Sequence, residues 1–328
     1  MKIKIVGGFK EIAATENLLE AWSEFLAGKR KKRDVQEFGM RLMDNLLSLH
    51  HNLINHTYRH GGYQAFNIFD PKPRNIHKAS VRDRLLHHAI YRQLYPFFDR
   101  TFIANSFSCR IKNGTHAAMN RFRDFYRIVS ENDTRQCWVL KCDIRKFFAS
   151  VNHEVLINII AQYTSDQELL RLLDKILKSF YSTQYGIGLP LGNLTSQLFV
   201  NIYMNEFDQF MKHILKAKYY IRYADDFVIL SPNRDELETI LPEISYFLRN
   251  RLMLDLHPKK ISIATIGSGV DFLGWVHFPD HRVLRTATAH RMVRRLEKVQ
   301  KIETVESYRS FLSHGNGRKL KEKYLFDR

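Results

Sequence analysis

The chain has 328 residues, 45% of them hydrophobic and 12% aromatic, which is enough to bury a large core in one domain or in two or three smaller units. Its 51 lysines and arginines outnumber its 34 acidic residues and give a formal charge of +17, which indicates a polyanionic partner. No run approaches the roughly 20 apolar residues of a membrane-spanning helix, and the N-terminus lacks the apolar core of a secretory signal. Cys109, Cys137 and Cys142 show no CxxC spacing, which argues against a zinc site or a disulfide framework and favours a reducing compartment.

Residues 15–49 are predicted to form two helices with a dense group of cations between them. Apolar side chains recur at helical spacing over residues 15–27, behind Thr15 as a candidate N-cap. Residues 29–33 (KRKKR) form a basic cluster that is either a solvated loop or a phosphate contact. Residues 34–37 (DVQE) then have the form of a capping box, which predicts a second helix beginning at Asp34.

A short strand at residues 65–69 leads into a proline-rich loop. Pro71 and Pro73 stiffen the loop, which carries Lys72 and Arg74. A guanidinium held there could bind a triphosphate through two parallel hydrogen bonds, because its planar fork matches the phosphate oxygens. Considered alone, such a cation is more often a surface residue. Ser80 is predicted to cap the helix that follows.

Two apolar stretches later in the chain carry carboxylates at strand ends. Residues 137–143 (CWVLKCD) are predicted to form a strand that ends at Asp143. Residues 218–230 (KYYIRYADDFVIL) predict two strands joined by a tight turn that carries Asp225 and Asp226. Adjacent carboxylates between buried strands repel each other and are costly to desolvate unless a cation compensates them. The pair is therefore a candidate metal site, with a solvated polar turn as the alternative, and Asp143 is the third acid that a metal site requires.

The segments around the carboxylates also contain signals for loops, turns and the start of a helix. Residues 186–192 (GIGLPLG) form a loop that allows close backbone approach, and Thr195 or Ser196 is predicted to start a long helix after it. Residues 257–260 (HPKK) indicate a turn, and residues 270–278 (VDFLGWVHF) indicate a strand pair or hairpin arm. The last 45 or so residues have the pattern of basic amphipathic helices.

In this order the motifs resemble the palm motifs of reverse transcriptases. They are DIxxFF at residues 143–148, the glycine loop at 188–197, YADD at 223–226, Lys260 in its turn, and FLGW at 272–275. The resemblance covers about residues 15–280. It implies an α+β right-hand polymerase fold: N-terminal helices and fingers at 1–135, an antiparallel-sheet palm at 136–280 that interleaves with the fingers, and a short basic helical thumb at 281–328.

The resemblance also implies a role for each carboxylate in a two-metal mechanism. Asp143 and Asp225 are expected to bridge two ions, Asp226 to support the first, and the Ile144 carbonyl to complete the ion that holds the nucleotide. Mg²⁺ is the expected metal, because carboxylate and phosphate oxygens are hard ligands. Lys260 is expected to protonate the leaving pyrophosphate.

Further residues are matched to substrate contacts by the same resemblance. Phe148 aligns with a steric gate against the ribose 2′-hydroxyl, which favours deoxynucleotides, with an ordinary core phenylalanine as the alternative. Arg74 resembles the fingers residue that binds the incoming triphosphate. The loop contacts to the nucleotide are expected at Leu191, Gly192 and Gln197, and the primer grip at Phe272, Leu273, Gly274 and Trp275.

The glycine loop departs from a pattern common in the family. Many reverse transcriptases, including group II intron and retron enzymes, have a QGxxxSP-like sequence where residues 191–197 read LGNLTSQ. Leu191 removes a polar group near the incoming base, and Gln197 replaces a helix-starting proline. With DPKPRNI at 70–76 and SFSCR at 106–110, this variant resembles reverse transcriptases of diversity-generating retroelements. That resemblance implies error-prone copying of a template-repeat RNA, with changes at template adenines, and transfer of the cDNA into a variable gene region.

The partners expected from the resemblance are a template RNA, a DNA or RNA primer, dNTPs and a small basic helical-bundle accessory protein. No membrane association is expected, and the predicted setting is the cytoplasm of a bacterium or archaeon, with the gene cellular or phage-borne. A retron or group II intron-type enzyme would use the same chemistry on another RNA, and a defence-associated enzyme of reverse-transcriptase fold would make untemplated DNA. A non-catalytic RNA-binding scaffold is a further alternative, but it would have been free to lose an acid, whereas Asp143, Asp225 and Asp226 are all present.

Overall fold

The computed structural model describes residues 3–69, 73–298 and 302–325. The helices in chain order are α1 Phe9–Ala13, α2 Thr15–Phe25, α3 Arg33–Met40, α4 Leu42–Ile54, α5 Val81–Asp99, α6 Thr115–Val129, α7 Phe147–Ser150, α8 His153–Ala161, α9 Gln167–Lys178, α10 Leu194–Gln209, α11 Arg234–Leu252, α12 Thr286–Lys298, α13 Ile302–Leu312 and α14 Arg318–Leu325. The strands are β1 Tyr63–Ile68, β2 Arg74–Ala79, β3 Trp138–Asp143, β4 Tyr220–Tyr223, β5 Asp226–Ser231, β6 Ser262–Thr265, β7 Val270–Phe272, β8 Trp275–His277 and β9 Arg282–Leu284. Within the described residues, no helix combines the length and the apolar character needed to cross a bilayer.

The chain forms two compact units, each built from segments distant in sequence. Unit 1 contains residues 1–104, 144–210 and 246–255, and unit 2 contains residues 105–143, 211–245 and 256–328. The carboxylate-bearing strands β3, β4 and β5 all belong to unit 2.

Unit 1 combines N-terminal helices with the antiparallel hairpin β1–β2, whose register runs from Tyr63 opposite Ala79 to Ile68 opposite Arg74. The strand predicted at 65–69 is observed at 63–68, whereas the predicted loop residues 70–72, including Pro71 and Lys72, lie outside the described residues. The glycine loop that precedes α10 is fastened to β2, because the His77 amide donates to the Leu191 carbonyl at 2.9 Å. Asn193 precedes α10, so the helix starts at Leu194, one or two residues before the predicted start.

The predicted helix caps in unit 1 had mixed outcomes. Ser80 caps α5 as expected, accepting a 3.1 Å hydrogen bond from the Asp83 amide. Thr15 is the first residue inside α2, not its cap. The capping box at Asp34 is wrong, because α3 begins at Arg33 and the Asp34 carboxylate instead accepts ion pairs from Lys78 and Arg84, at 2.7 and 2.6 Å.

The centre of unit 2 is a four-stranded antiparallel sheet with strand order β4-β5-β3-β6. Alternate residues of its strands, including Val139, Ile221 and Val228, are buried in one cluster with Phe122 and Phe125 of α6. Because strand side chains alternate between faces, this packing fixes which residues of β3 and β5 point away from α6.

A second sheet in unit 2, β7-β8-β9, connects this core to the C-terminal helices. Trp275 of β8 is fully buried with Met292, Leu296 and Leu312 of α12 and α13. The predicted hairpin at 270–278 is confirmed, and α12, α13 and α14 confirm the predicted helical character of the end of the chain.

Candidate active site

Two of the predicted carboxylates lie side by side across neighbouring strands. Asp143 is the last residue of β3, and Asp226 is the first residue of β5, directly opposite it in the antiparallel register. Residues opposite each other in such a pair have Cβ atoms about 4.5–5.5 Å apart. The strand ends therefore bring together two acids that are far apart in sequence.

Asp225 occupies the turn that joins β4 to β5. Tyr223 pairs with Asp226, so Ala224 and Asp225 form a two-residue hairpin turn. Ala224 has a φ of 56°, in the left-handed region that is costly for a residue with a side chain, by about 1 kcal/mol or more.

A fully buried arginine holds this turn in place. Arg222 donates from Nη1 to the Ala224 carbonyl at 3.1 Å and from Nη2 to the Ser106 hydroxyl at 2.9 Å. Its backbone also exchanges hydrogen bonds of 3.0 Å with Asn105 and Phe107. The start of the SFSCR segment thus acts as an edge partner of β4 and fixes the carbonyl next to Asp225.

The Asp226 carboxyl is buried and electrostatically crowded. Burial is the largest cause that raises its pKa to about 7; Lys141 opposes the rise, and the charges of Asp143, Asp225 and Asp271 add to it. Its Oδ1 has no hydrogen-bond partner among the described residues. A buried acceptor in this position favours the binding of a cation.

Lys260 already places a cation at Asp143. Its Nζ lies 2.8 Å from both Oδ1 and Oδ2 of the carboxylate. The turn that carries Lys260 is fastened to the end of β3, because the His257 amide donates to the Asp143 carbonyl at 2.8 Å. The lysine is therefore positioned by the backbone as well as by its charge.

The donor set is suited to a hard divalent cation. Asp143, Asp225 and Asp226 offer only oxygen ligands, the type that Mg²⁺ prefers, and both the Lys260 ammonium and the orphaned oxygen of Asp226 mark this edge as a cation site. Across residues 3–69, 73–298 and 302–325, no three His, Cys, Asp or Glu side chains are arranged to hold a metal ion by themselves. Ile144 follows Asp143 directly, and the role of its carbonyl remains a prediction.

The FLGW motif forms the tight turn between β7 and β8. Phe272 pairs with Trp275, and the two turn residues Leu273 and Gly274 have φ values of 53° and 85°. Positive φ at both central positions is the geometry of a type I′ hairpin. The motif is thus a rigid loop whose flanking residues, Phe272 and Trp275, are both fully buried.

The remaining predicted site residues belong to unit 1. Arg74 is exposed at the start of β2, and Phe148 is half-buried in α7 with its ring 5.7 Å from that of Phe147. Leu191 and Gly192 lie beside β2: a Cβ added at Gly192, whose φ is 100°, would approach Ile76 Cγ2 to 2.7 Å. The Leu189 amide donates to the Phe148 carbonyl at 2.7 Å, which connects Phe148 to the same loop. Gln197 is half-buried in the first turn of α10.

Sequence reasoning missed two cations of unit 2. Lys141 precedes Asp143 by two residues and so shares its face of β3; its Nζ donates to the Asp271 carbonyl at 2.5 Å. Arg222 was not singled out either. In each case the available signal was a cation inside an apolar strand, where a charge must find a buried partner.

Comparison with known proteins places this site in a family. The model of the family described as reverse transcriptase (RNA-dependent DNA polymerase) matches residues 69–277, well over half of the chain. This range contains β3, the glycine loop, the YADD turn, Lys260 and FLGW.

The individual relatives of this chain have low sequence identity to it. The chain is 26% identical over 300 residues to Protein YkfC of Escherichia coli (strain K12), covering 79% of this chain and 74% of that protein. It is 22% identical over 288 residues to the group II intron-encoded protein LtrA of Lactococcus lactis subsp. cremoris, covering 67% of this chain but only 46% of LtrA. The structure of apo telomerase from Candida tropicalis, truncated from the C-terminal domain, matches with a TM-score of 0.52 at 13% identity, over 70% of this chain and 55% of that one. At this identity the structural match supports the fold alone.

Proposed function

The chain belongs to the reverse transcriptase (RNA-dependent DNA polymerase) family, and from this premise we propose that it extends a primer 3′ end with deoxynucleotides along an RNA template. The observation that carries the proposal is the pairing of Asp143 with Asp226 across β3 and β5, with Asp225 in the adjoining turn. The excess of positive charge over the chain suits a nucleic-acid partner.

In this proposal Asp143, Asp225 and Asp226, with the Ile144 carbonyl, would hold two Mg²⁺ ions. When bound, the ions polarise the primer hydroxyl and neutralise the triphosphate and the leaving pyrophosphate. The chain's own contribution is to fix the carboxylates on a rigid sheet edge, with Arg222 holding the turn. Lys260 carries protons on an ammonium beside Asp143 and can transfer one to the pyrophosphate oxygen as it leaves.

Substrate contacts are proposed for residues of both units. Arg74 would bind the triphosphate, and Phe148 would exclude a ribose 2′-hydroxyl. Residues 191, 192 and 197 would line the nucleotide pocket, and residues 272–275 would grip the primer. In terms of the hand, we assign fingers to 1–135, palm to 136–280 and thumb to 281–328.

Primer extension tests the proposed activity. With an RNA template, a DNA primer, Mg²⁺ and dNTPs, the wild-type chain should extend the primer, and Asp225→Asn or Asp143→Asn should slow extension by roughly a thousandfold. Asp44→Asn is the matched control, because Asp44 is exposed on α4, where it pairs with Arg41. Full activity in Asp225→Asn would refute the metal-binding role of the turn.

A ribonucleotide assay tests the gate separately. Phe148→Val should raise incorporation of rNTPs relative to dNTPs at least tenfold, because the shorter side chain leaves room for the 2′-hydroxyl. Phe147→Leu is a neighbouring control whose side chain is buried in the core. An unchanged rNTP to dNTP ratio in Phe148→Val would leave Phe148 as a core residue only.

We further propose that this is the mutagenic enzyme of a diversity-generating retroelement. The LGNLTSQ loop, DPKPRNI and SFSCR support this assignment. Leu191 is well placed for a test, because its backbone is held by His77 while its side chain is half-buried. Leu191→Gln should lower misincorporation opposite template adenine when the cDNA products are sequenced, with errors opposite the other bases as the internal control. An unchanged adenine error rate would mean that this loop is not the cause.

A group II intron-type enzyme is the second candidate, favoured by the match to LtrA. It predicts a low error rate spread evenly over the four template bases. The same sequenced products therefore separate the two candidates.

The proposed partners follow from the retroelement assignment. We propose a small basic helical-bundle accessory protein and a cytoplasmic setting. Co-expression of this chain with such a protein from the neighbouring gene, followed by size-exclusion chromatography, should yield a joint peak. Separate elution at micromolar concentration would contradict the partnership.

A further inference from the structure

Unit 2 contains a pocket that none of the proposed catalytic residues line. Its volume is about 370 Å³, and it lies between α6, the turn after β8 and the loop that follows α13. The aromatic residues Phe122, Tyr126 and Phe278 share its lining with Arg123 and Arg282. Ligand pockets of this size commonly hold small organic molecules through a few polar groups on an apolar wall.

The positive charge of the pocket is not neutralised. Arg282 donates from Nε to the His314 carbonyl, its Nη2 lies 3.5 Å from Asn120 Oδ1, and its buried Nη1 has no hydrogen-bond partner among the described residues. Within the same described residues, no carboxylate forms an ion pair with Arg282 or Arg123. Two guanidinium groups thus share the pocket without a counter-ion.

The nearby titratable groups do not supply the missing negative charge. Asp280 is the acid among the lining residues, but its side chain is 84% exposed and its Oδ1 lies 2.6 Å from His281 Nδ1. Burial, together with the charge of Arg282, lowers the pKa of His277 to about 4, so this ring is neutral at pH 7. Burial and the charge of Arg123 likewise lower the pKa of Arg282. An anion in the pocket would relieve this electrostatic strain.

We infer that this pocket binds a phosphate group, carried either by a nucleic-acid strand or by a free nucleotide, with Arg123 and Arg282 as the binding groups. Planar guanidinium forks match phosphate oxygens. The Phe278 and His281 rings, stacked 4.9 Å apart and 12° from parallel, offer a flat surface for a base at the rim. These features favour a nucleotide unit over an acidic peptide. Binding at this pocket requires no catalysis, so it can be measured whether or not the chain has polymerase activity.

Arginine footprinting on the whole wild-type chain tests the site directly. Modification by 2,3-butanedione in EDTA, followed by peptide mass spectrometry, measures the accessibility of Arg123 and Arg282, with Arg127 of the same helix as the internal control. A 20-nucleotide single-stranded RNA or adenosine 5′-monophosphate should slow modification of Arg123 and Arg282 at least fivefold while leaving Arg127 unchanged.

The probes distinguish the source of the phosphate. Protection by adenosine monophosphate and inorganic phosphate at millimolar concentration would identify a free-nucleotide site, and protection by RNA alone would identify a strand contact. Protection by polyglutamate alone, equal protection of Arg127, or no protection would overturn the inference.

A binding measurement provides a second, independent readout. Arg123 is exposed, so Arg123→Ala should fold normally. If the ligand is a strand, the RNA affinity of this variant measured by fluorescence anisotropy should fall three- to tenfold, and the slope of log K against log salt should decrease by about 0.7, the value for one lost single-strand phosphate contact. Arg127→Ala should change neither quantity as much. For a free-nucleotide site, titration calorimetry with adenosine monophosphate should show the same loss of affinity in Arg123→Ala alone. An equal effect of both substitutions would indicate diffuse charge and no site.

Discussion

The buried carboxyl of Asp226 should make the protein, without divalent ions, less stable as pH rises. Its pKa is raised from an ordinary value of 3.8 to about 7, with burial as the main cause. Since one pKa unit corresponds to about 1.4 kcal/mol, ionising Asp226 in the folded protein costs about 4 kcal/mol relative to the unfolded chain. Asn has nearly the same shape and no charge, so Asp226→Asn should remove this cost.

The direction of the effect depends on where each state releases its proton. Below about pH 4 the carboxyl is protonated in both states, so the favourable contribution of the raised pKa is fully present. Between about pH 4 and 7 the folded protein keeps a proton that the unfolded chain has lost, so the free energy of unfolding falls as pH rises. Above about pH 7 the carboxyl is ionised in both states, and the free energy of unfolding falls no further through this group.

Urea denaturation in EDTA at pH 5, 6, 7 and 8 measures how the free energy of unfolding depends on pH. The free energy of unfolding of Asp226→Asn should exceed that of wild type by about 2–4 kcal/mol at pH 8, and the difference should shrink toward pH 5. Adding 10 mM Mg²⁺ at pH 8 should stabilise wild type more than the variant, since binding to the folded state raises stability. Asp44→Asn should follow the wild-type curve. Parallel pH curves for wild type and Asp226→Asn would refute the reasoning.

Three further predictions concern positions around the site. Arg222→Met should destabilise the protein by about 3 kcal/mol in thermal denaturation, because it leaves the Ala224 carbonyl and other buried groups without a donor. Gly192→Ala should lower the free energy of unfolding, measured with urea, by about 2 kcal/mol. The new Cβ would lie 2.7 Å from Ile76 Cγ2, and the φ of 100° at residue 192 is strained for alanine. Ellman's reagent should react rapidly with Cys109 alone in the folded protein at pH 8, as its thiol is exposed.

Each of these predictions has a control within the chain. Arg285→Met removes a partly exposed pair with Asp271 and should cost under about 1 kcal/mol; an equal loss in both arginine variants would contradict the bracing role of Arg222. Gly62→Ala should be neutral, because nothing lies within 4 Å of the new Cβ. Burial raises the pKa of Cys137 and of Cys142 to about 12, so these two thiols should react only in denaturant, and three fast thiols in the native state would contradict this burial.

Short-range patterns predicted the strands and turns of the site well. The apolar runs that became β3, β4 and β5, and the turn residues between β4 and β5, are local signals that need no knowledge of distant contacts. The register that sets Asp143 opposite Asp226 is different, because it depends on packing against α6. Residue patterns alone therefore identified the acids but not their pairing.

Long-range polar contacts explain the errors at other positions. Asp34 has the sequence of a helix cap, yet Lys78 and Arg84 bind its carboxylate. Arg222 lies in an apolar strand, where a cation is usually assigned to the surface, and its buried partners come from a loop more than 100 residues earlier. Such contacts join segments whose proximity only the folded chain reveals.

The salt bridge between Lys260 and Asp143 gives this carboxylate a counter-charge that does not depend on a bound metal ion. Because the chain provides its own counter-charge at the end of β3, that carboxylate is compensated as soon as the turn at 257–260 forms. If ions bind this edge as proposed, the chain does not need them to compensate Asp143 while it folds. An ion that binds Asp143 would then displace the Lys260 ammonium, so metal binding there would be coupled to movement of Lys260.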